Sequence, residues 1–169
     1  MVDDCNVILV GLGANLPSAF GTPRQTLDAA LGQLDAEGLR VIRRSRYWRT
    51  QPVPISDQPW FVNAVAVIKA DLGPQEVLAR LHRIEDAVGR VRTVINAPRV
   101  LDLDLLAHGA TVLRTPPRPL VPHPRLAERA FVLLPMQDVV PAWRHPETGC
   151  RLDDLIASLP SGQVCEPLE

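Results

Sequence analysis

Cysteine is scarce in this chain: three among 169 residues, Cys5, Cys150 and Cys165, far apart and without a Cys-x-x-Cys pair. So small, odd and scattered a set makes a zinc site an unfavourable reading and fits a reduced cytoplasm. An excess of one charge is missing as well. Eighteen Lys and Arg against nineteen Asp and Glu leave a net charge of −1, with no long charged tract. Neither a nucleic acid nor a membrane is therefore expected as the main partner. Long apolar runs are absent too. The start, Met1-Val2-Asp3-Asp4-Cys5-Asn6, is acidic, and the apolar run behind it is short and interrupted by glycine. That pattern reads as neither a signal peptide nor a membrane span. The glycines of Gly11-Leu12-Gly13-Ala14-Asn15-Leu16 make no nucleotide fingerprint. The third glycine of a Rossmann turn and the Lys-Ser/Thr of a phosphate loop are both lacking. There is no internal repeat and no low-complexity linker. What remains, 46% hydrophobic residues in a chain of this length, suits one domain with a real core.

In chain order, Asn6 to Val10 reads as a buried strand closing on a tight turn at the two glycines. Asn15 at its exit fits a turn asparagine or a ligand contact. Thr22-Pro23 opens a helix, with a capping Thr and Pro at the first helical position. Leu27, Ala30, Leu31 and Leu34 form its apolar stripe, and Gly38 ends the connection. Leu39 to Thr50 alternates loosely and reads as a second strand, whose Arg40, Arg43, Arg44, Arg46 and Arg49 mark a solvated or edge position. The proline-punctuated stretch from Gln51 to Trp60 is a loop of the length that often serves function. Phe61 to Lys69 is a third strand with one polar interior residue, Asn63. A buried amide needs partners, and a flat heterocycle with paired donors and acceptors would suit it. Pro74 to Val88 has helical spacing, with Gly89 as the stop, and His82 and Glu85 can share a face. Arg90-Val91-Arg92 opens a segment expected to be mobile when empty. Leu126 to Val139 reads as largely helical, and residues 150–160 as one more amphipathic helix. Strand, helix, strand, strand, helix, strand is the split βαβ pattern: an α+β, ferredoxin-like sheet with helices on one face.

The chemistry concentrates at Arg99-Val100-Leu101-Asp102-Leu103-Asp104-Leu105-Leu106. In a strand, residues i and i+2 share a face, so Asp102 and Asp104 project side by side, their backbones about 6.6 Å apart. That spacing lets them hold one hard cation, or share two ions about 3.5–4 Å apart. Unmatched, buried like charges are costly and need a metal, an arginine or a proton. An edge strand with two solvated aspartates fits Asp-x-Asp alone as well as a metal site does.

Several separated segments bear on that choice. Gly13-Ala14-Asn15-Leu16, Tyr47 to Thr50, Gln58-Pro59-Trp60-Phe61-Val62-Asn63-Ala64-Val65, Ile84-Glu85 with Gly89-Arg90-Val91-Arg92, Pro98-Arg99 with Asp102-Leu103-Asp104, and Val121-Pro122-His123-Pro124-Arg125 occur in one order. This ordered set, from about residue 7 to about residue 140, resembles the 6-hydroxymethyl-7,8-dihydropterin pyrophosphokinases of the folate pathway. The resemblance implies a single catalytic domain over 1–169 that joins ATP to a pterin alcohol, releasing AMP and a pterin diphosphate. It makes Asp102 and Asp104 ligands of two Mg²⁺ ions bridging the triphosphate, which suits a cation that favours carboxylate, phosphate and water oxygens. Arg90, Arg92 and Arg99 match phosphate-clamping arginines that stabilise the transferred group. A solvated loop charge is the plainer account of Arg90. His82, Glu85, Arg118 and His123 match nucleotide contacts, His82 standing where the family often has Gln. Phe61 and Phe131 match the aromatics that sandwich the pterin, and Asn63, Thr50 and the backbone around Val53 would read its edge. On composition alone, those two phenylalanines are core residues. A monomer is expected.

The chain departs from the family pattern at two places. Ile95-Asn96-Ala97 stand where many members carry a basic residue and an aromatic before Pro-Arg, and Gln51 replaces a usual proline. A competing class is a binding domain that keeps the fold and pocket without turnover. The aspartate pair and the three arginines count against it, and Ile95 counts slightly for it.

Overall fold

Ile8, Val10, Leu12 and Ala14 leave the first strand on one side, Val7 and Leu9 on the other, and all six are buried. Successive residues of a strand point to opposite faces, so this strand (β1, Ile8–Ala14) feeds two cores at once. The computed structural model describes residues 3–52, 54–88 and 100–169. After β1 come α1 (Pro23–Ala36), β2 (Arg40–Arg44), β3 (Trp48–Thr50), β4 (Phe61–Lys69), α2 (Pro74–Val88) and β5 (Asp102–His108). A 3₁₀ turn at Leu126–Glu128 leads into α3 (Ala130–Val139), followed by α4 (Leu152–Ala157) and β6 (Cys165–Pro167). The sheet runs β5-β1-β4-β3-β6, antiparallel throughout, with β2 also on β4.

The segment read as one second strand is a strand with a bend. Its two halves pair with successive stretches of β4, Arg40–Arg44 with Ala66 to Lys69 and Trp48–Thr50 with Phe61 to Asn63. At the bend the Ser45 hydroxyl accepts the Val65 N–H at 2.9 Å, keeping that ladder position satisfied. Counted as one strand, β2 and β3 complete the ferredoxin-like arrangement, with α1 and α2 as the two crossovers.

The expectation of helices on one face is corrected. One core gathers Leu27, Ala30 and Leu34 of α1 and Val77, Leu81 and Ile84 of α2 against Val10, Leu12, Ala66, Leu103 and Leu105. The opposite core gathers Val132, Leu133 and Met136 of α3, Leu152 of α4 and Trp143 against Leu9, Val65 and Val67. A sheet whose strands are apolar on both sides must be covered on both. The tight turn expected at Gly11 and Gly13 is also corrected, because β1 continues through both to Ala14. α1 begins as its sequence indicates. Thr22 Oγ1 accepts the Gln25 N–H at 3.3 Å and Gln25 Oε1 accepts the Thr22 N–H at 2.9 Å, a reciprocal capping box. Among the arginines of the bent strand, those of β2 lie at an edge, whereas β3 is covered by β6, a strand with no signal in the sequence. Asp138 on α3 ties this region down. It accepts Arg46 N–H bonds at 3.1 and 3.3 Å and the Trp48 indole N–H at 3.0 Å. Among the described residues no helix is long and apolar enough to cross a membrane.

Candidate active site

Along the α3 side of the sheet, β1 changes from Val7 and Leu9 to Gly11 and Gly13, and the apolar core stops there. Gly11 faces Val65 on one neighbour and Asp104 on the other; Gly13 faces Asn63 and Asp102. Directly paired residues share a face of the sheet. Asp102, Gly13 and Asn63 therefore form one row across three strands, with the carboxylate and the amide roughly 10 Å apart at the backbone. At Gly13 a Cβ would lie 2.6 Å from Asn63 Oδ1, so any larger residue there would displace the Asn63 amide. Gly11 is not under that constraint: its Cβ would meet Leu106 at an ordinary 3.4 Å.

Over this floor lies a cleft. Its lining includes Gly11, Gly13, Asn63, Asp102 and Asp104 below, Thr50, Gln51 and Phe61 on one side, and Arg125, Arg129, Phe131 and Val132 on the other. Asn63 and Thr50 are buried, and the Asn63 amide donates to Thr50 Oγ1 at 2.6 Å. The bond fixes the amide plane and leaves the Thr50 hydroxyl proton to point elsewhere. Phe61 and Phe131, both partly exposed, face the same cleft from opposite walls. Outside it, the Asn15 amide donates to Gln58 Oε1 and the Pro59 carbonyl, each at 3.2 Å, and so anchors the proline-punctuated loop. These bonds use only the amide nitrogen; the Asn15 Oδ1 is buried without a partner among the described residues.

The cations come from the turn ahead of α3. Burial and the neighbouring Arg125 push the Arg129 pKa down, while Asp104 and Asp102 act the other way, so Arg129 sits within the field of both carboxylates. Its guanidinium stands 5.4 Å from the Phe131 ring centroid, within cation–π reach. His123 is held at the same end by its N–H, which donates to the Leu106 carbonyl at 2.8 Å. Burial, chiefly, and then Arg129 drive its pKa down to about 4; Asp102 opposes this, and Arg125 and Arg118 add to it. The ring is neutral at pH 7. Its Nδ1 accepts the Arg125 N–H at 3.1 Å, which leaves the ring proton on Nε2.

Thr50, Phe61, Asn63, Asp102, Asp104 and Phe131 thus come together in one cleft. His123 lies in the field of Asp102, and Arg118, on an exposed loop, is one of the charges acting on it. Glu85 stands elsewhere. It is buried on α2, and its Oε2 accepts the Leu103 N–H at 2.9 Å, between the two aspartates in sequence. The described residues leave β5 as an edge of the sheet, and Glu85 satisfies an outward N–H of that edge. His82 is half-buried one turn earlier on the same helix. Val53, Arg90, Arg92 and Arg99, and the departure at Ile95-Asn96-Ala97, lie outside the described residues. Sequence reasoning missed Gly11, Gly13, Gln51, Arg125 and Arg129 as cleft residues. Two glycines two apart, in a strand that pairs with Asp-x-Asp, were the available signal for the floor. Arg129 had none.

A ferredoxin-like sheet bearing a carboxylate pair, arginines and two phenylalanines in one cleft has the groups that group transfer between an anion and a flat ring needs. Comparison with known proteins narrows this. The family model described as 7,8-dihydro-6-hydroxymethylpterin-pyrophosphokinase matches residues 9–141. The 2-amino-4-hydroxy-6-hydroxymethyldihydropteridine pyrophosphokinase of Pseudomonas aeruginosa is 39% identical over 154 residues, 90% of this chain and 91% of that one. Its namesake from Methylorubrum extorquens is 41% identical over 134 residues, 78% of this chain and 81% of that one. The folic acid synthesis protein fol1 of Pneumocystis carinii is 34% identical over 146 residues, but this chain spans only 19% of its length. The wild-type HPPK-DHPS of Plasmodium falciparum, solved with STZ-DHP, shares the fold at a TM-score of 0.71 and 13% identity, over 90% of this chain and 43% of that one. The chain belongs to the 7,8-dihydro-6-hydroxymethylpterin-pyrophosphokinase family and is a pyrophosphokinase of folate synthesis.

Proposed function

We propose that this chain, as one catalytic domain over residues 1–169, transfers pyrophosphate from ATP to 6-hydroxymethyl-7,8-dihydropterin. The pterin hydroxymethyl oxygen bonds to the β-phosphorus and gives up its proton to solvent, the bond from that phosphorus to the α-phosphate oxygen breaks, and AMP leaves with the electron pair. The observation that carries this reading is the single row of Asp102, Gly13 and Asn63, which sets a carboxylate and an amide on one floor with a bare glycine between them. Phe61 and Phe131 hold the ring from two walls; aromatic stacking contributes about 0.5–1.5 kcal/mol beyond area burial. Asn63 and Thr50, with the backbone near Val53, read its edge.

The donor set at Asp102 and Asp104 fits Mg²⁺. Two carboxylates on one face supply part of an oxygen shell, and the open glycine floor leaves room for phosphate and water to supply the rest. When bound, two such ions neutralise the triphosphate and the charge that develops on the transferred group. Arg90, Arg92 and Arg99 clamp the phosphates, and Arg125 and Arg129 keep the far wall positive. His82, Glu85, Arg118 and His123 serve the nucleotide side; for His123 the neutral ring offers its Nε2–H as a donor. A monomer acting in the cytoplasm is the working form.

The test is product identity. Purified protein with ATP, Mg²⁺ and 6-hydroxymethyl-7,8-dihydropterin should release AMP with the pterin diphosphate. ADP would indicate phosphoryl transfer instead, and pterin binding without either nucleotide product would make this a binding domain.

A further inference from the structure

Residues 142–169 lie beyond the family match, yet they return to the sheet and touch both walls of the cleft. On one wall, β6 pairs Cys165 with Thr50, Glu166 with Arg49 and Pro167 with Trp48. The Gln51 N–H donates to the Val164 carbonyl at 3.1 Å, extending the pairing to the mouth of the cleft. On the other wall, Gln163 grips the start of α3 with both ends of its carboxamide. Its Oε1 accepts the Ala130 N–H at 2.9 Å, and its Nε2 donates to the Glu128 carbonyl at 2.8 Å. Arg129, the residue at the cap position, makes no side-chain cap of its own. The first N–H groups of a helix have no partner within it, so Gln163 supplies from a distance what the local sequence does not.

The two walls are not packed on each other at this point. A second hollow separates them, lined by Gln51, Pro54, Ile55, Arg129, Gln163 and Val164. The tail bridges that hollow, hydrogen-bonded to Gln51 through Val164 and to α3 through Gln163, the residue before it in the chain.

We infer that Gln163 is a positioning residue for the pterin slot: it holds the first turn of α3 so that Phe131 faces Phe61 and Thr50 across the cleft. Gln163 does not line the cleft and acts through Ala130 and Glu128 on either side of Arg129, with Phe131 next in the chain. It is partly exposed and fills no core position, so removing it opens no cavity. The inference rests on the reading of the slot as the pterin site.

Calorimetric titration of Gln163→Ala and Gln163→Glu with the pterin, and separately with a non-hydrolysable ATP analogue, tests it, alongside thermal unfolding of each variant. Gln163→Ala should weaken pterin binding and raise the pterin KM about tenfold, the size expected for losing one or two neutral hydrogen bonds. Affinity for the ATP analogue should change less, and the unfolding temperature should fall by no more than the few degrees that one lost helix cap costs. Gln163→Glu keeps an acceptor for the Ala130 N–H but sets a second acceptor against the Glu128 carbonyl, so it too should weaken pterin binding. Unchanged pterin affinity in Gln163→Ala overturns the inference. So does an equal fall in pterin and nucleotide affinity with a lowered unfolding temperature, the mark of a general support. Failure of the unaltered protein to bind pterin is a different result, and it removes the slot reading itself.

Discussion

Leu103 and Leu105 point from β5 towards α1 and α2, while Asp102 and Asp104, interleaved with them, point towards the α3 side. The two sides of this strand share a backbone, a register and a hydrogen-bonding partner in β1. On the first side every paired position is filled: Leu103 against Leu12, Leu105 against Val10, with α2 closing over them. On the second, the positions opposite the aspartates are glycines, and the helix that could have covered them starts only at Ala130. One side is used for packing and the other, at this end, is kept open. What separates them is the omission of side chains as much as the presence of carboxylates.

That contrast is broken or upheld by neighbouring substitutions. Asp102→Asn or Asp104→Asn should lower turnover by roughly 10²–10³-fold or more, the range seen when a single group stabilising transition-state charge is removed. Denaturant unfolding without ligand should be close to that of the unaltered protein. Turnover at the original rate would return both residues to solvated edge positions. Leu103→Ala, one residue away on the packed side, should do the reverse. It should cost about 2–5 kcal/mol of folding stability, as large-to-small core changes do, and leave kcat per folded molecule nearly unchanged. If Leu103→Ala abolished turnover while stability held, the division between the two sides would be wrong.

Gly13→Ala addresses the open floor directly. Its Cβ would meet Asn63 Oδ1 at 2.6 Å, so the amide must move, and with it the 2.6 Å bond to Thr50. Pterin affinity should fall about tenfold, as for the loss of a buried, orienting hydrogen bond. Gly11→Ala, whose Cβ meets only Leu106 at 3.4 Å, should be milder. Calorimetry on both variants would decide it, and equal effects would mean that the Asn63 amide does not read the pterin.

The residues of this comparison differ in how plainly the sequence announced them. The apolar period of β4 and α2 and the Thr22-Pro23 start of α1 are local signals, and the elements form at those bounds. Asp-x-Asp announced a shared face, because strand alternation alone dictates it. Which side of the sheet that face occupies is set by α3 and α4, whose packing is a long-range matter, and so both helices are legible in the sequence while their place on a second face is not. The glycines were misread as a turn because a glycine pair signals one locally, whereas here β4 and β5 hold both residues in the ladder from either side. β6 is three residues long and Gln163 acts across more than thirty positions, so neither leaves a periodic trace. Arg129 lines the cleft from the cap position of α3, where no local sequence signal marks it.

The smallest expected effect concerns the electrostatics of the open end. His123 has a folded pKa of about 4 against an ordinary 6.5, because burial and then Arg129 disfavour its charged form, with Arg125 and Arg118 adding to this and Asp102 opposing. Between those two values the unfolded chain takes up a proton that the folded chain refuses. Stability rises with pH wherever the unfolded state binds more protons. The contribution of His123 is therefore fully present above about pH 6.5 and is lost as the pH falls towards about 4. The ring is only partly buried, so solvent screening keeps the effect below what the shift alone would suggest. His123→Gln cannot take up that proton in either state and should lose less stability than the unaltered protein between pH 7 and pH 4.5. Other groups that titrate in this range are present in both proteins and drop out of the comparison. Urea unfolding of the two proteins at both pH values, in buffer free of divalent cations, measures the difference. Parallel losses would mean that the folded protein does not hold His123 neutral, and the burial that chiefly lowers its pKa would have to be given up.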